Sequence, residues 1–88
     1  MGFRLAYDLA LTVGREVVLV RDDNAHHKVR VLITGLAESG ETVTLTGNSL
    51  GSSYRPIKAA KKEEPPVPVR GDFTQRDGRW QGELEQVR

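Results

Sequence analysis

Residues 28–47 read KVRVLITGLAESGETVTLTG, and the way they fold decides the class of the whole chain. Val29, Val31 and Ile33 alternate with Arg30, Leu32 and Thr34, which gives a strand one apolar face and one partly wet face. AESG, with Gly40 at its end, suits a short hairpin connection. Beyond it, Val43 and Leu45 share one face while Thr42, Thr44 and Thr46 share the other. The stretch predicts a β-hairpin.

Its flanks extend the pattern. Upstream, REVVLVR (15–21) is β-branched and stops at DDNAHH (22–27), a polar turn cluster. Downstream, NSLGSS (48–53) predicts a loop and YRPIK (54–58) a short strand. Pro56 has no amide to donate, so that strand belongs at an edge or at a barrel closure. Near the N-terminus Met1, Phe3, Leu5, Tyr7, Leu9, Leu11 and Val13 alternate with Arg4, Asp8 and Thr12, as a strand requires. Phe3, Ala6, Tyr7, Ala10 and Val13 also share one helical face. The strand template additionally accounts for Leu5 and Leu11, and is preferred. The fold class expected is all-β: a small, strongly curved barrel of 4–5 strands over residues 1–58.

After the barrel, AAKKEEPPVPVR (59–70) carries three of the four prolines behind a charge block. Pro65, Pro68 and Arg70 spell a P-x-x-P-x-R docking pattern, and Arg70-Gly71-Asp72 spells an integrin tripeptide. Prolines at this density impose an extended path, and a stiff proline-rich hinge explains them without a partner. Residues 71–88 form a C-terminal hairpin or short helix. Asp77-Gly78 is a good two-residue turn, and pairing around it puts Phe73, Trp80 and Leu84 on one face beside Gln75. A helix from Trp80 would align Trp80, Leu84 and Val87 instead. Either form has an apolar side that docks on the barrel or on a partner.

LTVGREVVL (11–19) resembles the first-strand signature of SH3-like and Sm-like small barrels, in which a glycine precedes alternating aliphatics and a bent hairpin follows. The hairpin 28–46 is similar in length and pattern. The resemblance implies a barrel, and on the Sm-like version residues 3–12 correspond to an N-terminal helix. Sm-like proteins also shape an RNA pocket with an Asp and an Asn on their second and third strands. GLAESGE (35–41) offers neither in that arrangement, so no functional residue is carried over.

Bulk composition narrows the function. Eighty-eight residues make one small domain, which buries only ~60% of its unfolded surface and so has a thin core. The chain has no cysteine, hence no disulfide and no thiolate metal site, which fits a reducing, cytoplasmic setting. The net charge of +1, from 13 Lys/Arg against 12 Asp/Glu, gives no global field, so any charged partner must be read by a local patch. No run nears the ~20 apolar residues of a membrane span, Asp8 interrupts a signal-like core, and Ala6 stands where a myristoylation motif wants Ser or Thr.

His26 and His27, beside Asp22 and Asp23, have the chemistry to hold a divalent ion. Neighbouring side chains on an extended chain diverge, however, and a solvated hairpin tip is the simpler reading. GNSLGSS (47–53) is neither a nucleophile elbow nor a Walker loop, and an ordinary turn-rich loop is preferred to an anion site there. No enzyme, metal or cofactor is expected. The leading expectation is nucleic acid bound by Tyr54, Arg55, Lys58, Lys61 and Lys62, cations for phosphates and a ring for a base, extended by Arg21, Lys28 and Arg30. Glu63 and Glu64 oppose it, so binding should be weak and salt-sensitive. The alternative is a protein-interaction module that uses Phe73, Trp80 and Leu84, with exposed strand edges also giving a route to homo-oligomers.

Overall fold

A computed structural model describes residues 2–6, 11–58, 66–76 and 78–87. Among these, six strands form one closed antiparallel barrel in chain order, and there is no helix. The strands are β1 (Phe3–Leu5), β2 (Glu16–Arg21), β3 (Lys28–Ser39), β4 (Thr42–Ser52), β5 (Val67–Arg76) and β6 (Arg79–Gln86). β1 pairs with both β2 and β6, so closure puts Phe3 opposite Arg21 on one side and Gly82 on the other.

The alternation read from sequence is what turns the core inward. Val17 and Leu19 of β2 face Val31 and Val29 of β3, and all four are buried. Phe3, Leu5, Ile33, Leu45, Val69, Phe73 and Leu84 complete the lining, and Ile57 enters it from the chain between β4 and β5. Each such side chain contributes ~1.5–3 kcal/mol of transfer free energy, and in so small a core no single one is dispensable.

Four expectations change. The strands number six rather than four or five, because β5 and β6 pair into the same sheet as the rest. Val67–Arg70, expected in the hinge, begins β5 beside β4, while residues 59–65 lie outside the described residues. NSLGSS is not a loop; apart from Ser53 it is the last half of β4, because Asn48, Ser49, Gly51 and Ser52 pair with Leu32, Val31, Arg30 and Val29. YRPIK is a turn and not a strand: the Ile57 amide donates to the Tyr54 carbonyl at 3.0 Å, and Pro56 has no amide for a ladder. At the N-terminus Phe3–Leu5 is strand, whereas residues 7–10 lie outside the described residues.

Two register shifts in the β3–β4 hairpin set its shape. They leave Leu50 and Thr34 as extra residues, one on each strand. Past Thr34 the phase of β3 changes, so Leu36 faces Leu45 and Glu38 faces Val43. The hairpin then turns through Gly40-Glu41, where Gly40 takes the positive φ (61°) that a tight primed turn needs. Gly78, φ 79°, has the same role between β5 and β6.

Ser49 is the one polar residue in the core among the described residues. Its side chain is fully buried, and its Oγ finds no hydrogen-bond partner there. A buried hydroxyl left unpaired costs ~1–3 kcal/mol. Ser49→Ala is therefore expected to stabilise the barrel by about 1 kcal/mol, read as a higher urea midpoint at an unchanged slope. A lower midpoint would mean that the hydroxyl is satisfied in solution.

Candidate functional site

Residues 53–58, which follow β4, are built across one end of the barrel. Ser53 ties its start to β3: the Ser53 amide donates to the Lys28 carbonyl at 2.9 Å, and the Lys28 amide donates to Ser53 Oγ at 2.8 Å. Ser53 Oγ also donates to the His26 carbonyl at 2.8 Å. The far end is tied to β6, where the Lys58 amide donates to Gln86 Oε1 at 3.1 Å. Between these ties Ile57, 2% exposed, plugs the barrel, and Arg55 and Lys58 are left in solvent. Lys28 and Arg30 are exposed on neighbouring β3. These four cations make no ion pair among the described residues.

Tyr54 is placed differently from a free stacking platform. Its ring meets the edge of Phe3 at 5.4 Å between centroids and lies 5.7 Å from the His27 ring. The Arg21 guanidinium covers it, with Cζ 4.4 Å from the ring centroid. Arg21 is held there by Asp23 through two bonds, Nε to Oδ1 at 2.9 Å and Nη2 to Oδ2 at 3.2 Å. Those bonds hold the Asp23 carboxyl below the usual carboxylate range and raise the Arg21 pKa further. Tyr54 thus belongs to the wall of the barrel, and Arg21 is committed to it. Lys61 and Lys62 lie outside the described residues.

The β2–β3 turn is organised by Asn24. Its Oδ1 accepts the His26 amide at 3.0 Å and its carbonyl accepts the His27 amide at 3.0 Å. Asp22 pairs with Arg4 at 3.6 Å and Asp23 with Arg21, so these two carboxylates of the β2–β3 turn are already engaged. Among the described residues no three His, Asp or Glu side chains form a group able to hold a metal.

The C-terminal residues fall into two environments. Phe73 and Leu84, 1% and 6% exposed, are core and unavailable to a partner. Trp80 is half-buried and packs against the edge of the core, at the other end of the barrel. There the β3–β4 and β5–β6 hairpins bound an open cleft of about 400 Å³ lined by Glu38, Gly40, Glu41, Val43, Gln75 and Trp80. Sequence singled out Trp80 and Gln75 for one face of the tail, but not their β3–β4 neighbours, because the phase of Glu38 depends on the Thr34 bulge. Arg70-Gly71-Asp72 runs straight within β5, with Asp72 Oδ1 accepting the Thr44 hydroxyl at 2.6 Å, so the tripeptide is not at a loop tip. Pro68 is in the same strand, paired with Asn48.

These features define a small closed antiparallel barrel with a cationic surface at one end and a tryptophan cleft at the other. Compared with protein families, characterised proteins and solved structures, the chain matches none significantly. No helix among the described residues is long and apolar enough to cross a membrane.

Proposed function

We propose that the protein is a non-enzymatic binding barrel whose cationic end follows a nucleic-acid backbone. One observation carries the reading: Lys28, Arg30, Arg55 and Lys58 are exposed and unpaired among the described residues, while Asp22 and Asp23 of the β2–β3 turn are taken up by Arg4 and Arg21. Ser53, two residues before Arg55, is bonded to Lys28, which supports a single surface for the two cations. With Tyr54 under Arg21, base stacking contributes little, and the mode is phosphate contact without sequence readout. Lys61 and Lys62, beyond Ala59 and Ala60 in the sequence, belong to the same run of cations.

Four phosphate contacts give a log–log salt slope of about −3 for a single strand. Amide NMR during addition of a mixed-sequence single-stranded oligonucleotide at low salt is expected to show shifts at Lys28, Arg30, Arg55 and Lys58 that fade as salt rises. Arg55→Glu with Lys58→Glu should remove most of the binding without disturbing the fold, since both side chains are exposed. A well-dispersed spectrum that ignores the oligonucleotide sinks the proposal.

A second reading, a protein-interaction module, is favoured by the Trp80 cleft. A partner bound there would lose affinity in Trp80→Ala but vary little with salt. We propose further that the barrel is of SH3-like or Sm-like type, supported by the glycine-led β2 and the bulged β3–β4 hairpin, and that it acts in the cytoplasm, which the absence of cysteine favours.

A further inference from the structure

We infer that the Trp80 cleft receives an extended, lysine- or arginine-bearing polypeptide segment that adds alongside the tip of β3. This deepens the second reading above and is independent of phosphate binding at the opposite end.

Three observations carry it. The first is an edge that no other described strand covers. β2 pairs with β3 only as far as Leu32, and Arg15 and Gly14 add the last bonds, both to Ile33. From Gly35 to Ser39, β3 has a strand partner on the β4 side alone among the described residues. Such an edge accepts a further strand through its main-chain groups. The second is the face beside that edge. Glu38 and Val43 are directly paired, and Gln75 and Trp80 are directly paired, so the ladder places these four along the concave side of the two hairpins.

The third is charge. Glu38 and Glu41 are exposed, line the cleft with Trp80, and make no ion pair among the described residues. An indole face bounded by carboxylates selects a cation, which gains from the ring quadrupole and from both charges at once. Arg76 and Arg79 of the β5–β6 tip occupy register positions on the opposite face from Gln75 and Trp80, so they do not neutralise the cleft from within. An added strand would place every second side chain over this face, which matches a segment with alternating basic residues.

Trp80 is the only tryptophan in the chain, so its fluorescence reports the cleft directly. The full-length protein would be titrated with three capped eight-residue peptides, alternating Lys-Val, Glu-Val and Thr-Val. The lysine peptide alone is expected to shift Trp80 emission saturably and to move the amides of Ala37 and Ser39. Glu38→Gln with Glu41→Gln should weaken it roughly fivefold or more, as the loss of two exposed pairs predicts. Equal binding of the threonine or glutamate peptide, or an unchanged affinity in the double variant, overturns cation selection while leaving a protein-binding cleft. A lysine peptide that moves neither the Trp80 emission nor the β3 amides overturns the inference. The second reading then stands or falls on the Trp80→Ala measurement with a whole protein partner.

Discussion

Ended after Pro66, the chain is expected to lose its fold and not merely a tail. Removing β5 and β6 takes Val69, Phe73 and Leu84 out of the core. At ~1.5–3 kcal/mol for each buried side chain, that loss is of the order of 6 kcal/mol, comparable to the whole stability of a small domain. It also strips β1 and β4 of one neighbour each, leaving two open edges on a sheet that no longer closes. The truncated chain should show collapsed amide dispersion and no cooperative thermal transition. A cooperative melt would instead establish residues 1–58 as a self-sufficient barrel carrying an appended hairpin, as composition along the sequence suggests.

Gly82→Ala is the point substitution with the largest expected effect. Gly82 is paired with Phe3 on β1 and with Phe73 on β5, so it marks the place where three strands draw together beside two buried rings. A methyl group there would fall inside the contact radius of the Asp72 carbonyl oxygen and 2.8 Å from Phe73 Cα. Both obstacles are main chain, which cannot rotate aside. β5 and β6 must separate, and the ladder closing the barrel weakens with them. Overpacking of this kind costs ~1–3 kcal/mol before lost backbone bonds are added, so a destabilisation of about 3 kcal/mol or more is expected. With a urea slope of ~1–3 kcal/mol per molar for small proteins, the midpoint should drop by about 1 M or more. Gly51→Ala is the matched control. A methyl at Gly51 meets nothing within 4 Å, and the midpoint there should scarcely move. Equal effects at the two positions would refute the close approach of β5 to β6.

The inner face of the barrel was readable in the sequence wherever period-two alternation ran unbroken. Val29, Val31, Ile33, Val43 and Leu45 are all buried, and the alternation said so, whereas in β2 Val17 to Val20 are all apolar and only the pairing with β3 turns Val17 and Leu19 inward. The β5–β6 register also follows from the Asp77-Gly78 turn, which places Gln75 opposite Trp80 and Gly71 opposite Leu84. What the sequence hid was governed by pairing between distant segments. NSLGSS looks like a loop by composition, yet its backbone is satisfied by β3 and β5, which overrides the preference of Ser, Asn and Gly for turns. YRPIK looks like a strand because Tyr and Ile favour one, but Pro56 and the burial of Ile57 make it a plug. The proline cluster reads as a hinge, whereas Pro68 is accommodated within a strand of the sheet.

The same limit applies to the candidate sites. Arg55 and Lys58 were visible as a local charge run, and the structure leaves both in solvent. That Tyr54 would be occupied by Arg21 depends on β2 and the 53–58 segment meeting at one end of the barrel, which no local window records. Glu38 and Glu41 joined Trp80 only after Thr34 changed the phase of the hairpin.

The seam between β1 and β6 has a kinetic consequence. Every other pairing joins strands that follow one another along the chain, but Phe3 must find Gly82 across nearly its whole length. Each doubling of a loop adds about 0.6 kcal/mol of closure entropy, so this contact costs roughly 2–3 kcal/mol more than a tight hairpin. β1 repays that cost with only three residues. The folding order this implies is a meander that forms outward from its hairpins, with the seam between β1 and β6 closing last. Under native conditions the same seam is the first to loosen, a reversible opening between β1 and β6 during which β1 stays paired with β2.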